Sequence, residues 1–138
     1  MKILLSLAVG MLASMSALAA EEFNGSQPID CTPTAGQDCL PTEKACKPLV
    51  PEQGKDLTMH VDVSKMSLKT PYRNAAMQIS SFGFNTASLV MQGTASEMTW
   101  TATIHRTTGR LTMAITDREG AYVVFGQCKL AAAKPAAQ

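Results

Sequence analysis

Aromatic side chains are scarce in this 138-residue chain, at 5% with a single Trp, and an excess of charge of either sign is missing. Lys and Arg number 12 against 11 Asp and Glu, a formal net charge of +1. Such a balance leaves no electrostatic footprint for a phosphate backbone, so no nucleic-acid partner is expected. Only two His are available as bases at neutral pH. No G-x-S-x-G elbow, P-loop, H-E-x-x-H or Gly-rich dinucleotide fingerprint occurs. The chain also lacks C-x-x-C, which removes support for a thioredoxin-like mechanism. These absences lead to the expectation of a non-enzymatic protein without a cofactor. What remains is 46% hydrophobic, too much for wholesale disorder, and long enough for about one domain.

The one long apolar run stands at the start. Lys2 is followed by Ile3 to Leu12 and then by small residues ending in Ala17-Leu18-Ala19-Ala20. This three-part layout is that of a secretory signal peptide, with cleavage expected after Ala19. The run is too short for a comfortable membrane span, which takes roughly 20 residues. No Cys follows it directly, and no later run approaches spanning length. A periplasmic or secreted mature chain without a transmembrane segment is therefore expected, with a net charge of zero once Lys2 is lost.

All four cysteines, Cys31, Cys39, Cys46 and Cys128, lie beyond that cleavage point. An even number in a small exported chain reads as a disulfide framework, because the destination is oxidising. Three connectivities are possible. The favoured one has Cys39–Cys46 as a local clip and Cys31–Cys128 joining the N-terminal arm to the last strand. Loop entropy puts roughly 2–3 kcal/mol on the short loop and about 4.7 kcal/mol on the long one. Zinc-ribbon spacing of two to four residues is absent from the set.

Texture divides the mature chain. Residues 20–56 carry Pro28, Pro33, Pro41, Pro48 and Pro51 and no useful alternation, which predicts an irregular arm pinned by disulfides. Asn24-Gly25-Ser26 in this arm matches a glycosylation acceptor, a triplet that also arises by chance. From Leu57 the pattern becomes period two: Leu57, Met59, Val61 and Val63 share one face, with His60, Asp62 and Ser64 on the other. Further strands are predicted over 74–81, 88–93, 97–106, 110–116 and 121–128. In 97–106 the faces are Met98, Trp100, Ala102 and Ile104 against Thr99, Thr101, Thr103 and His105. Short links ending in Gly109 and Gly120 read as hairpins in which each Gly supplies a positive φ. The expected fold is all-β, an antiparallel meander over 57–129 that curls into a small barrel or half-barrel, followed by a flexible tail at 130–138.

The stretch WTATIHRTTGRLTMAITDREGAYVVFGQC, with its Trp strand, Thr-Gly turn and closing Val-Val-Phe-Gly-x-Cys strand, resembles a group of small exported bacterial β-proteins. The arm beginning Phe-Asn-Gly-Ser-x-Pro is similar to theirs as well. The resemblance implies export, disulfides and β structure, and transfers no site residue.

Binding is thus the expected mode of action, with a protein of the envelope or the extracellular space as the leading partner. The Pro-rich arm and the strip Tyr72-Arg73-Asn74 are candidate surfaces. The alternative is a carrier of a small apolar ligand, with Phe82, Phe84, Trp100, Tyr122 and Phe125 lining a cavity inside the barrel. A third reading is copper, since thioether and imidazole suit Cu(I). Its ligands would be Met59, His60 and His105, with Met98 and Met113 in reserve, although Met on an apolar face is ordinary packing. His60, Asp62 and Ser64 resemble a triad only in composition. Residues two apart on a strand lie in a row about 6.6 Å apart and do not converge.

Overall fold

The computed structural model describes residues 22–71 and 76–132, with Ala76 described by its backbone alone. Nine strands form, and no helix occurs among the described residues. They are β1 (Ile29–Cys39), β2 (Lys47–Leu49), β3 (Met59–Asp62), β4 (Ser67–Lys69), β5 (Ala76–Phe84), β6 (Ser88–Ala95), β7 (Met98–His105), β8 (Arg110–Thr116) and β9 (Ala121–Leu130). From β3 onward each strand pairs antiparallel with the next. β1 closes the circle, pairing with β9 from Ile29↔Leu130 to Cys39↔Ala121 and with β3 at Ile29↔Val61. The result is a closed eight-stranded barrel. β2 is additional, lying on β1 at Gly36–Asp38, beyond the reach of β3.

Alternation explains why these segments are strands. In β7, Trp100, Ala102 and Ile104 are buried while Thr99 and Thr101 are exposed, as their period-two spacing predicts. β-branched Thr suits the solvated face of a pleated sheet. Met59, Val61 and Val63 are buried together in the same way, as are Leu111 and Met113. Closure needs curvature, and bulges at Pro33/Ala35 and Ile79/Ser81 supply bends in β1 and β5. Pro33 has no N–H to give a ladder, so a bulge suits it.

Both expected disulfides are present, and there is no free cysteine. Cys31–Cys128 staples the β1–β9 seam at directly opposed positions. Cys39–Cys46 ties the end of β1 to the segment entering β2. Such bonds fit an oxidising, exported location.

The arm is less irregular than its prolines suggest. The expected start of β structure at residue 57 is corrected to Ile29, because β1 is a long strand of the barrel. Pro33 and Gly36 break its alternation, and one of its buried residues is half of a disulfide. The two hairpin glycines also differ. Gly109 has φ +68, as expected. Gly120 does not lie in the left-handed region; the Asp117 carboxylate closes that link by accepting the N–H of Glu119 (2.8 Å) and of Gly120 (2.9 Å). Gly120 is needed for closeness, since a β-carbon there would stand 2.5 Å from the carbonyl oxygen of Cys39.

The two ends of the barrel are unlike. At one, the Phe23 N–H donates to the Arg106 carbonyl (3.0 Å) and its ring packs into the core beside Gly109. Burying such a ring is worth about 1.5–3 kcal/mol and closes that end. At the other lie the β6–β7 and β8–β9 links, the end of β1, and β2. The expected leader at 1–19 and the strip Tyr72-Arg73-Asn74 lie outside the described residues, as does most of the expected tail.

Candidate functional site

The second end of the barrel holds an apolar cup of about 150 Å³. Among the described strands, the wall is short at this end. β3 and β4 are only four and three residues long, so they do not cover the inner side chains at this end. Met77 on β5, Met98 at the start of β7 and Ile115 near the end of β8 form one side. Tyr122 and Val124 continue it on β9. Across from them stand Pro33, Ala35 and Gly36 of the bulged part of β1, with Leu49 and Pro51 from β2 and the turn after it. Among the described residues, no charged side chain lines the cup.

Trp100 lies beneath it. Ile115 is paired with Trp100 on one side and Tyr122 on the other, so the three form a row across β7, β8 and β9. Trp100 is buried, and its indole N–H has no hydrogen-bond partner among the described residues. Any group entering the cup therefore sits one residue away from the only tryptophan in the chain.

The rim is polar and braced. Glu97 in the β6–β7 link and Arg118 in the β8–β9 link pair at 2.8 Å, though both are exposed, which limits the pair to about 0–1 kcal/mol. Lys47 hydrogen-bonds Glu43, and that bond holds its ammonium above the usual lysine range. Leu49 and Val50 are exposed apolar residues beside the opening. The Cys39–Cys46 bond fixes the base of this β2 flap.

The aromatic cavity expected from the sequence does not form as drawn. Tyr122 alone of the five residues lines the cup. Trp100 is core packing below it. Phe82 and Phe84 stand half-exposed on β5 beyond its pairing with β4, ring to ring at 5.9 Å, with the Arg106 guanidinium 5.8 Å from the Phe84 ring. Since Arg106 also meets the arm that closes the other end of the barrel, this pair is remote from the cup. Phe125 is exposed on the outer face, opposite Thr112. β4 reaches only as far as Gln78 on β5, so no described strand covers Phe82 and Phe84 on that side although they oppose the core residues Met91 and Leu89, and parity placed Phe125 outside.

Nor are the metal candidates brought together. Met59 and Met113 are buried in the core, and Met98 belongs to the cup. His60 is outside on β3, with Nδ1 2.7 Å from Asp30. His105 is on the outer face of β7, where Nδ1 accepts the backbone N–H of Thr107 and Thr108. Among the described residues no group of three His, Cys, Asp or Glu could hold an ion. The row His60, Asp62, Ser64 is divided too. Asp62 bonds Ser64 Oγ (2.6 Å) and Lys65 Nζ (2.7 Å), which hold its carboxyl below the usual range, while His60 turns to Asp30.

Sequence reasoning did not find Met77, Met98, Ile115, Val124, Leu49 and Pro51 as a site. Their one signal is position: inward-facing apolar residues near strand ends, where a neighbouring strand stops short. Comparison with known protein families, with curated proteins and with solved structures finds no match to this chain. No helix among the described residues is long and apolar enough to cross a membrane.

Proposed function

We propose that this is an exported binding protein that takes one apolar side chain of a partner protein into the cup at the end of its barrel. The size and lining of the cup carry this reading. Sites for drug-sized molecules usually measure 300–1,000 Å³. A cup of about 150 Å³ matches a space that accepts a single benzene ring. An apolar anchor in a fitted pocket is the usual centre of a protein interface, and the polar rim with exposed Leu49 and Val50 suits the surround. The disulfides support an oxidising destination for such a partner.

Toluene tests the capacity of the cup. With labelled methionine methyls, signals of Met77 and Met98 should shift on titration while Met91, deep in the core, stays still, and Trp100 emission should change in step. Shifts at none of these methyls would overturn the reading. The protein source is tested by a photo-crosslinker at Leu49 in exporting cells: one adduct is expected, lost when Ile115→Phe fills the cup. Small apolar molecules carried through purification, seen by native mass spectrometry, would point instead to a ligand carrier.

A further inference from the structure

The outer face of β7, β8 and β9 carries a second concavity, of about 580 Å³, unconnected with the cup. Its floor is two rows of outward side chains. Thr103, Thr112 and Phe125 are opposed across the three strands, and one step along the strands come His105, Arg110 and Gln127. Neighbouring strands lie about 4.8 Å apart, so each row spans about 10 Å, the scale of one to two sugar rings.

The chemistry of this floor is uneven in a useful way. No carboxylate lines it, and Arg110 is exposed without an acidic partner among the described residues. His105 Nδ1 accepts the N–H of Thr107 (3.3 Å) and Thr108 (3.2 Å), so the neutral ring carries its proton on Nε2 as a donor. Thr103 gives its hydroxyl proton to the Thr112 carbonyl (3.3 Å), and Gln127 gives an amide proton to the Thr108 carbonyl (2.5 Å). Both then offer oxygen atoms as acceptors. Phe125 presents a half-exposed ring.

We propose that this groove binds an acidic saccharide, its carboxylate between Arg110 and His105 and a sugar ring resting on Phe125. One guanidinium beside a neutral donor matches one carboxylate, and guanidinium holds carboxylates in a fork geometry. Neutral donors and acceptors match sugar hydroxyls, and the negative face of a phenyl ring attracts polarised C–H groups. The volume falls in the range of ligand sites. A nucleic acid would require a basic stripe that the face does not have.

Tetragalacturonate, maltotetraose and inorganic phosphate, each titrated by NMR into the full mature chain, test this. Tetragalacturonate should bind saturably, with amide shifts on β7, β8 and β9, and at least roughly tenfold more tightly than maltotetraose, the size of a charge-assisted contact. Arg110→Ala and Phe125→Ala, both exposed and expected to melt as the parent does, should each weaken it by a similar factor. Ile115→Phe, which narrows the cup from the inner face, should leave it unchanged, so failure here and failure of the cup reading are distinguishable. Equal binding of maltotetraose, phosphate binding as tight as that of tetragalacturonate, unaltered affinity in Arg110→Ala, or no saturation at millimolar concentration would each overturn the proposal.

Discussion

Trp100 lies against Gly93 on the neighbouring strand, and the glycine has room for nothing more. The two are directly opposed in the β6–β7 pairing. A β-carbon at position 93 would stand 2.8 Å from the indole and collide with the carbonyl oxygen of Gln78 on the far side. The glycine is thus the notch into which the largest core side chain fits, next to the bulge that bends β5. Gly93→Ala should destabilise by about 3 kcal/mol, at the upper end for overpacking, because one of the obstructing atoms belongs to backbone. Urea unfolding followed by Trp100 fluorescence measures it; a loss below about 1 kcal/mol would show that β5 yields easily.

The two disulfides should separate in their effects. Replacing Cys31 and Cys128 removes a link across 97 residues, and the chain-entropy estimate is a loss of about 4.7 kcal/mol. Replacing Cys39 and Cys46 opens a loop of only 7, a loss of about 2 kcal/mol. Function should reverse that order. The short bond holds the approach to β2, so its removal should weaken the Trp100 response to toluene while the barrel still melts cooperatively. An unchanged toluene response would show that β2 is positioned by its pairing with Gly36–Asp38 alone.

How much of this could be read beforehand depends on how local each cause is. Period-two spacing is local, so the faces of β7 and the run Met59, Val61, Val63 were legible. The disulfide pairing followed from the position of Cys128 on the last strand, far from three clustered partners. β1 was hidden because Pro33 and Gly36 interrupt its pattern, and its strand character depends on β9, which is distant in sequence. β4, at three residues, is too short to show a period. The cup is less legible still. It exists because β3 and β4 stop short, a property of how strands meet and of no single segment, and Met77 and Met98 look like ordinary core in sequence. Phe82 and Phe84 misled because β4 stops at Gln78, which leaves this half of β5 without a second neighbour among the described strands, and strand length at that point is not readable from a local pattern.

Ser96 has φ +51 at the first of the two residues linking β6 to β7. Glycine is favoured there, since a side chain in the left-handed region costs about 1–2 kcal/mol, partly offset by the chain entropy glycine loses on folding. Ser96→Gly should therefore stabilise by about 0.5 kcal/mol. Thermal melting should rise by roughly 2 °C. The side chain is exposed, so no packing is lost. A fall in melting temperature would mean that the serine contributes something the backbone strain does not explain.

Acid should act partly through the β3–β4 turn. The Asp62 carboxyl is held below the usual range chiefly by the Lys65 side-chain hydrogen bond, then by Ser64. A folded-state value below the unfolded one means that the ionised carboxylate favours the fold. That contribution is fully present above pH 3.8, the ordinary value, and disappears as pH falls through the lowered one. Asp62→Asn should accordingly be less stable than the parent at neutral pH, and the two urea midpoints should converge on acidification below pH 3.8. The effect should be small, because the Lys65 partner is largely exposed and water screens the pair. Raised salt should narrow the difference, since its largest cause is the charged Lys65 side chain, which is exposed and screened, while the bonds from the Ser64 hydroxyl and the Lys65 N–H carry no donor charge and persist. Midpoints that stay apart by the same margin at pH 2 would place the role of Asp62 in turn geometry and not in its charge.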